Sequence, residues 1–149
     1  MEHYYDVTVN WEADRRGVLS SPVLPETINV ATPPEFPKGM PGIWSPEHLL
    51  VAAVNSCLMT TFLAIAENSK LEFNTFRCGA RGKLEQVEGK FMISEIMLKP
   101  FVSVPDEKDR ERADRILHKA EAACLITNSI KSKVTMETTV EVASEVSPA

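Results

Sequence analysis

The alternation of apolar and polar positions divides the chain into recognisable elements. From Tyr4 to Trp11, Tyr5, Val7, Val9 and Trp11 alternate with polar neighbours, which predicts a strand with one buried face. Asp14-Arg15-Arg16-Gly17 reads as a turn, Val18 to Val23 as the returning strand, and Thr27 to Ala31 as a third short strand. Five prolines and two glycines between Thr32 and Pro46 exclude regular structure there, because proline removes a backbone donor and restricts the residue before it. Ser45 then caps a helix whose first position is Pro46. Leu49, Leu50, Ala53, Val54, Cys57, Leu58 and Thr61 follow at three-and-four spacing, with an end expected near Asn68-Ser69. Leu71 to Leu84 and Lys90 to Pro100 read as long strands joined near Glu88-Gly89. A second helix is expected from Pro105-Asp106 through Cys124 to Asn128 or Ser129. Lys133 to Val142 reads as one closing strand, and Ser144 to Ala149 as a fraying end.

This order of elements predicts a single α+β domain over residues 1–149, of a length that buries roughly 68% of its unfolded surface. Leu49 to Ala66 holds 18 residues without a charge, close to a membrane-spanning length. Its Asn55, Ser56, Cys57, Thr60 and Thr61 favour a core helix, covered on most sides by a sheet and a second subunit. No membrane segment is expected, and Met1-Glu2-His3-Tyr4 leads into no signal-like apolar run. The net charge of −5, with no Lys/Arg stripe, argues against a nucleic-acid partner.

Cys57, Cys78 and Cys124 lie 21 and 46 residues apart, which is neither a zinc spacing nor a paired disulfide framework. A reducing, cytoplasmic setting follows, where a cysteine is either a buried hydrophobe or a working thiol. Cys78 reads as a core residue. Cys57 and Cys124 each sit in an otherwise apolar segment read as helical, and they are either two unrelated core residues or a reactive pair. Glu47 is ten residues before Cys57, about 15 Å along a straight helix. Contact between them needs a break in the helix or an intermediary.

Ser45-Pro46-Glu47-His48-Leu49-Leu50, Ala52-Ala53-Val54-Asn55-Ser56-Cys57 and Ala123-Cys124-Leu125-Ile126-Thr127-Asn128-Ser129-Ile130 resemble the three signature segments of the OsmC/Ohr family. The resemblance implies an OsmC-like fold, with antiparallel sheets around a long central helix, in an intertwined homodimer. It also implies thiol-dependent reduction of small organic hydroperoxides. In that role Cys57 becomes a sulfenic acid, Cys124 resolves it as a disulfide, and a dithiol, such as a lipoyl-bearing protein, resets the pair. The family arginine corresponds to Arg15, two residues before Gly17, with Arg16 as the alternative, and Glu47 orients it. No cofactor or metal is implied. The chain departs from the family at Leu125, where proline is common, and in its longer proline-rich segment. Phe36, Met40, Ile43, Trp44, Leu49 and Leu50 are candidate pocket walls. His48 reads as a capping residue, and His118 has no assigned role. A binding protein of the same fold with inert cysteines is the rival reading.

Overall fold

A computed structural model describes residues 1–143, so the expected fraying of Ser144 to Ala149 lies outside the described residues. The chain divides into two compact units, Met1–Leu50 and Val51–Ala149.

In the first unit, strands β1 (Thr8–Ala13), β2 (Arg16–Ser21) and β3 (Leu24–Ala31) form an antiparallel sheet in that order. The β1–β2 connection is only Asp14-Arg15, with Asp14 at φ 51°; Arg16 and Gly17 already belong to β2, so the turn is shorter than expected. The strand begins at Thr8 instead of Tyr4. The face expected to be buried is open, with Val7, Val9 and Trp11 all exposed and Trp11 at 76%. Alternation marks one face as apolar, but it does not say what covers that face.

The proline-rich segment is an ordered loop, as expected. Phe36 N–H donates to the Pro33 carbonyl at 3.1 Å, and Met40 N–H to the Thr32 carbonyl at 2.9 Å. Gly39 packs so closely on Pro33 that a Cβ there would collide with its carbonyl. The loop returns to the sheet through Ala31 N–H, which donates to the Trp44 carbonyl at 2.8 Å.

Helix α1 runs Pro46–Asn68, with the start and end the sequence predicts. The Ser45 hydroxyl accepts the His48 backbone N–H at 3.1 Å and lies 2.7 Å from His48 Nδ1. Both halves of this cap are local, and the Ser45 side chain is fully buried. At the other end Leu71 N–H reaches the Ala66 carbonyl and Lys70 N–H the Glu67 carbonyl. Lys70 adopts φ 54°, so a left-handed residue closes the helix in a Schellman arrangement.

In the second unit, β4 (Thr75–Val87) and β5 (Lys90–Val104) form a long antiparallel hairpin. Its turn is Glu88-Gly89, both with positive φ (51° and 79°), which matches the right-handed twist of the flanking strands. A 3-10 turn at Glu107–Asp109 leads into α2, Arg110–Ala123. This helix stops short of the expected Asn128 or Ser129, and a separate 3-10 turn spans Thr127–Ser129. The closing strand is divided into β6 (Lys133–Met136) and β7 (Thr139–Val142), both parallel to β5. Antiparallel pairing therefore holds within β1–β3 and between β4 and β5. The crossover through α2 brings the chain back in the same direction as β5, which makes the last pairings parallel. Pro100 falls between the β5 segments paired with β6 and with β7.

Val54, Leu58, Phe62 and Ala66 form the one fully buried stripe of α1, in a cluster with Ile96, Leu98, Val102, Ala113, Leu117 and Ala120. The Phe62 ring stacks on Phe76 at 5.1 Å and meets Phe73 edge-on at 5.3 Å. The expectation that α1 is covered on most sides is not met within the chain, since Met59 and Leu63 are each 39% exposed. Apolar residues run round the helix, while β4, β5 and α2 cover a single stripe of it. Among the described residues α1 is also the one helix long and apolar enough to cross a membrane.

Replacing the cap by Ser45→Ala should destabilise the protein by about 1 kcal/mol. A urea titration should show a lower midpoint with an unchanged slope.

Candidate active site

The second unit holds Cys57 and Cys124 side by side. Their positions come from two different constraints. Cys57 is fixed along α1, whose packing stripe contains Val54 and Leu58 on either side of it. Asn55 Nδ2 donates to the Cys78 carbonyl at 2.9 Å, tying the helix to β4 two residues before Cys57. Gly82 permits the close approach of α1 to β4, because a Cβ there would come within 2.5 Å of Val51 Cγ2. Cys124 caps the C-terminal end of α2 with extended backbone, φ −63° and ψ 117°. It is therefore not helical, contrary to the sequence reading. Its N–H closes α2 on the Glu121 carbonyl at 3.2 Å, and its carbonyl accepts from Asn128 N–H at 3.1 Å. This bend turns the chain back, and the thiol of Cys124 is buried against Cys57. No break in α1 separates Glu47 from Cys57, which removes the first of the two routes considered for their contact.

The two sulfurs are free thiols in unlike surroundings. Burial works to raise the pKa of Cys57. Hydrogen bonds from the Cys124 thiol, the Ile126 backbone, the Thr61 hydroxyl and the Leu125 backbone outweigh it, and the net shift is downward. Cys124 shifts the opposite way. Burial raises it first, the hydrogen bond to Cys57 adds to the rise, and contacts with Thr127 only partly offset them. Donors stabilise a thiolate, whereas a thiol that gives its proton to a neighbour is held in the neutral form. The pair can thus hold one negative charge, on Cys57. Cys78, half-buried in β4, is pushed up by burial and fits its expected place against the core.

The remaining expected residues lie in the first unit. Arg15 is exposed at the β1–β2 turn and lines an open depression of about 470 Å³ with Asp14, Lys38 and Met40. Its guanidinium makes no ion pair among the described residues. Arg16, by contrast, is 3.7 Å from Glu12. Glu47 is half-buried, and its Oε1 is buried without a hydrogen-bond partner among the described residues. Ile43 and Trp44 line a second open depression with Gly42 and His48. Phe36, Leu49 and Leu50 are half-buried but line neither depression. His48 serves the cap, as expected. His118 pairs with Asp114 at 3.6 Å on α2. Among the described residues no group of three His, Cys, Asp or Glu side chains could hold a metal ion.

Sequence reasoning missed Thr61 as a neighbour of Cys57, although the signal was present in its i, i+4 spacing on α1. It also missed the backbone donors after Cys124, which depend on α2 ending there.

A family model described as OsmC-like protein matches residues 39–139, a span that contains Glu47, Cys57 and Cys124 but neither Arg15 nor Arg16. The uncharacterized protein YmaD of Bacillus subtilis (strain 168) is 25% identical over 142 residues, 91% of this chain and 92% of that protein. Peroxiredoxin OsmC of Escherichia coli (strain K12) is 28% identical over 93 residues, 62% of this chain and 64% of its own length. Among solved structures, an OsmC-like protein of unknown function from Vibrio cholerae superposes with a TM-score of 0.82 at 23% identity, covering 92% and 99% of the two chains. An organic hydroperoxide resistance protein from Elizabethkingia anophelis gives 0.74 at 20% identity, covering 95% and 99%. At these identities the structural likeness establishes the fold.

Near neutral pH, limiting iodoacetamide should label Cys57 before Cys124 and Cys78, because alkylation follows the thiolate. Peptide mapping by mass spectrometry checks the order, and equal labelling of all three would contradict the asymmetry.

Proposed function

The chain belongs to the OsmC-like protein family, and we propose that it reduces organic hydroperoxides to alcohols with Cys57 as the attacking thiolate. The single observation that carries this reading is the pair of free, adjacent thiols in which Cys57 is held low and Cys124 high. A peroxidase of this kind needs one sulfur ionised for attack and a second within reach to resolve the product. The names of two relatives, a peroxiredoxin and an organic hydroperoxide resistance protein, support this reading.

In the first step the Cys57 thiolate attacks one peroxide oxygen. The S–O bond forms as the O–O bond breaks, sulfur is oxidised to the sulfenic acid, and the departing alkoxide takes a proton to become the alcohol. Cys124 then attacks the Cys57 sulfur, water leaves, and a Cys57–Cys124 disulfide remains. A dithiol, such as a lipoyl-bearing protein, reduces that disulfide by exchange through a mixed disulfide.

We assign Arg15 to stabilising the thiolate and the leaving oxygen, since guanidinium is permanently charged and offers a planar fork of donors. Glu47 orients that arginine. One observation favours Arg15 over Arg16: it has no ion pair among the described residues, whereas Arg16 lies 3.7 Å from Glu12; Glu47 Oε1 and Arg16 Nε are both buried without a hydrogen-bond partner among the described residues. The working unit is an intertwined homodimer. The open apolar face of β1 and the uncovered flank of α1, with Trp11, Met59 and Leu63 exposed, support burial against a second copy over a place in a membrane. A cytoplasmic setting agrees with three unpaired cysteines.

One equivalent of cumene hydroperoxide added to reduced protein should remove two of the three thiols, and Cys57→Ser or Cys124→Ser should prevent the intramolecular disulfide. Three unchanged thiols would leave the inert-cysteine reading in place. Arg15→Ala should lower kcat/KM on the order of a hundredfold, and Arg16→Ala far less. Light scattering should give twice the chain mass; a monomer would remove the dimer from the proposal.

A further inference from the structure

We infer that Lys38 is a specificity-determining residue, which favours hydroperoxides that carry a carboxylate over neutral ones. The inference rests on the peroxidase reading and on the place given there to Arg15. Arg15, Lys38 and Asp14 line one open depression of about 470 Å³ together with Met40. None of the three charged side chains makes an ion pair among the described residues. Two cations against one carboxylate leave a single positive charge there, in a chain whose net charge is −5. With Arg15 assigned to the peroxide oxygens, Lys38 is the cation left to meet a negative group elsewhere on the substrate. Met40 offers the carbon skeleton an apolar wall.

The backbone holds Lys38 on the same side as Arg15. Ala31, where β3 ends, pairs with Arg16, so the proline-rich loop leaves the sheet next to the β1–β2 turn. Thr32 N–H donates to the Arg15 carbonyl at 3.4 Å, and the Thr32 carbonyl accepts Met40 N–H at 2.9 Å. Between those ties the chain turns at Phe36-Pro37-Lys38-Gly39, where Gly39 N–H donates to the Phe36 carbonyl at 2.9 Å. Proline at the second position and a positive φ at the third are the marks of a type II turn, whose third position usually holds glycine or asparagine. Lys38 occupies it at φ 65°. The close packing of Gly39 on Pro33 fixes the turn from its other side. A strained backbone position, held without the residue that would relieve it, points to a use for the side chain.

Lys38 and Arg15 are both exposed, so an ion pair formed there stays in contact with water. Pairs of that kind contribute modestly, which sets a several-fold preference and not an absolute requirement. Asp14 works against it, because its carboxylate repels the same group and competes for the same cations. Lys38 and Asp14 therefore act in opposite directions on one ratio.

The test is the ratio of kcat/KM for two hydroperoxides that differ only in charge, cumene hydroperoxide and its para-carboxylate derivative. Both are measured on the full chain with dithiothreitol as reductant. Lys38→Gln should lower the carboxylate-to-neutral ratio by roughly fivefold, and Lys38→Arg should keep it. Asp14 stands at φ 51°, a conformation asparagine also tolerates, and Asp14→Asn should raise the ratio by a similar factor. Raising the ionic strength from about 0.01 M to about 1 M shortens the screening length from about 30 Å to about 3 Å, and should bring the wild-type ratio down towards that of Lys38→Gln. A ratio unmoved in Lys38→Gln while both hydroperoxides are consumed overturns the inference and leaves the peroxidase reading standing. So does a ratio that falls as far in Lys38→Arg, because the effect would then belong to the turn. If the wild type consumes neither hydroperoxide, the peroxidase reading fails by itself, and the seat is read by NMR titration with 4-isopropylbenzoate, the same skeleton without the peroxide. Weaker binding in Lys38→Gln and tighter binding in Asp14→Asn would support the seat, and equal affinities would remove it.

Discussion

The arrangement depends on packing one stripe of α1 against β4, β5 and α2. Val54, Leu58, Phe62 and Ala66 are sealed in that contact, and each large side chain among them contributes on the order of 1.5–3 kcal/mol by leaving water. Cys57 lies between two of those positions, so the force that holds the core together also sets where its sulfur stands. Hydrogen bonding refines that placement. The Asn55 amide bond to β4 fixes the helix along its axis, and the missing Cβ of Gly82 sets how close the two elements come.

On this frame the two cysteines differ because their backbones differ. One is in the middle of a helix, where its own N–H and carbonyl are already committed. The other ends a helix, where the chain changes direction and exposes donors that a continuing helix would have consumed. The difference in acidity follows first from the hydrogen bond between the two thiols and then from which sulfur faces those donors. Burial acts on both and would by itself keep both neutral.

Much of this was legible in the sequence where the cause is local. Ser45-Pro46 announced a helix start, Glu88-Gly89 a hairpin turn, and the prolines of residues 32–46 an ordered loop, because each signal is a property of a few adjacent residues. The Cys57 segment and the Glu47-to-Cys57 spacing were visible in the same way. The end of α2 was not. Ala122-Ala123-Cys124-Leu125 contains no glycine or proline to mark the bend, which is made by Cys124 N–H and by the Asn128 and Ser129 bonds that follow. The division of the last strand and its parallel pairing were also hidden, since both depend on where β5 lies. The apolar face of β1 was read correctly as apolar, but nothing among the described residues covers it, because a pattern of residues does not specify the surface that meets it.

The order of contacts along the chain bears on how such a pair comes into being. β4 and β5 are neighbours joined by two residues, so their pairing closes a short loop. Cys57 and Cys124 are 67 positions apart and meet only after α2 has crossed over and bent. Topology therefore puts that meeting late in folding. Until then Cys57 has neither the Cys124 thiol nor the backbone that follows it at its side, and any oxidant that reaches the nascent chain finds a thiol with no second sulfur within reach to form a disulfide.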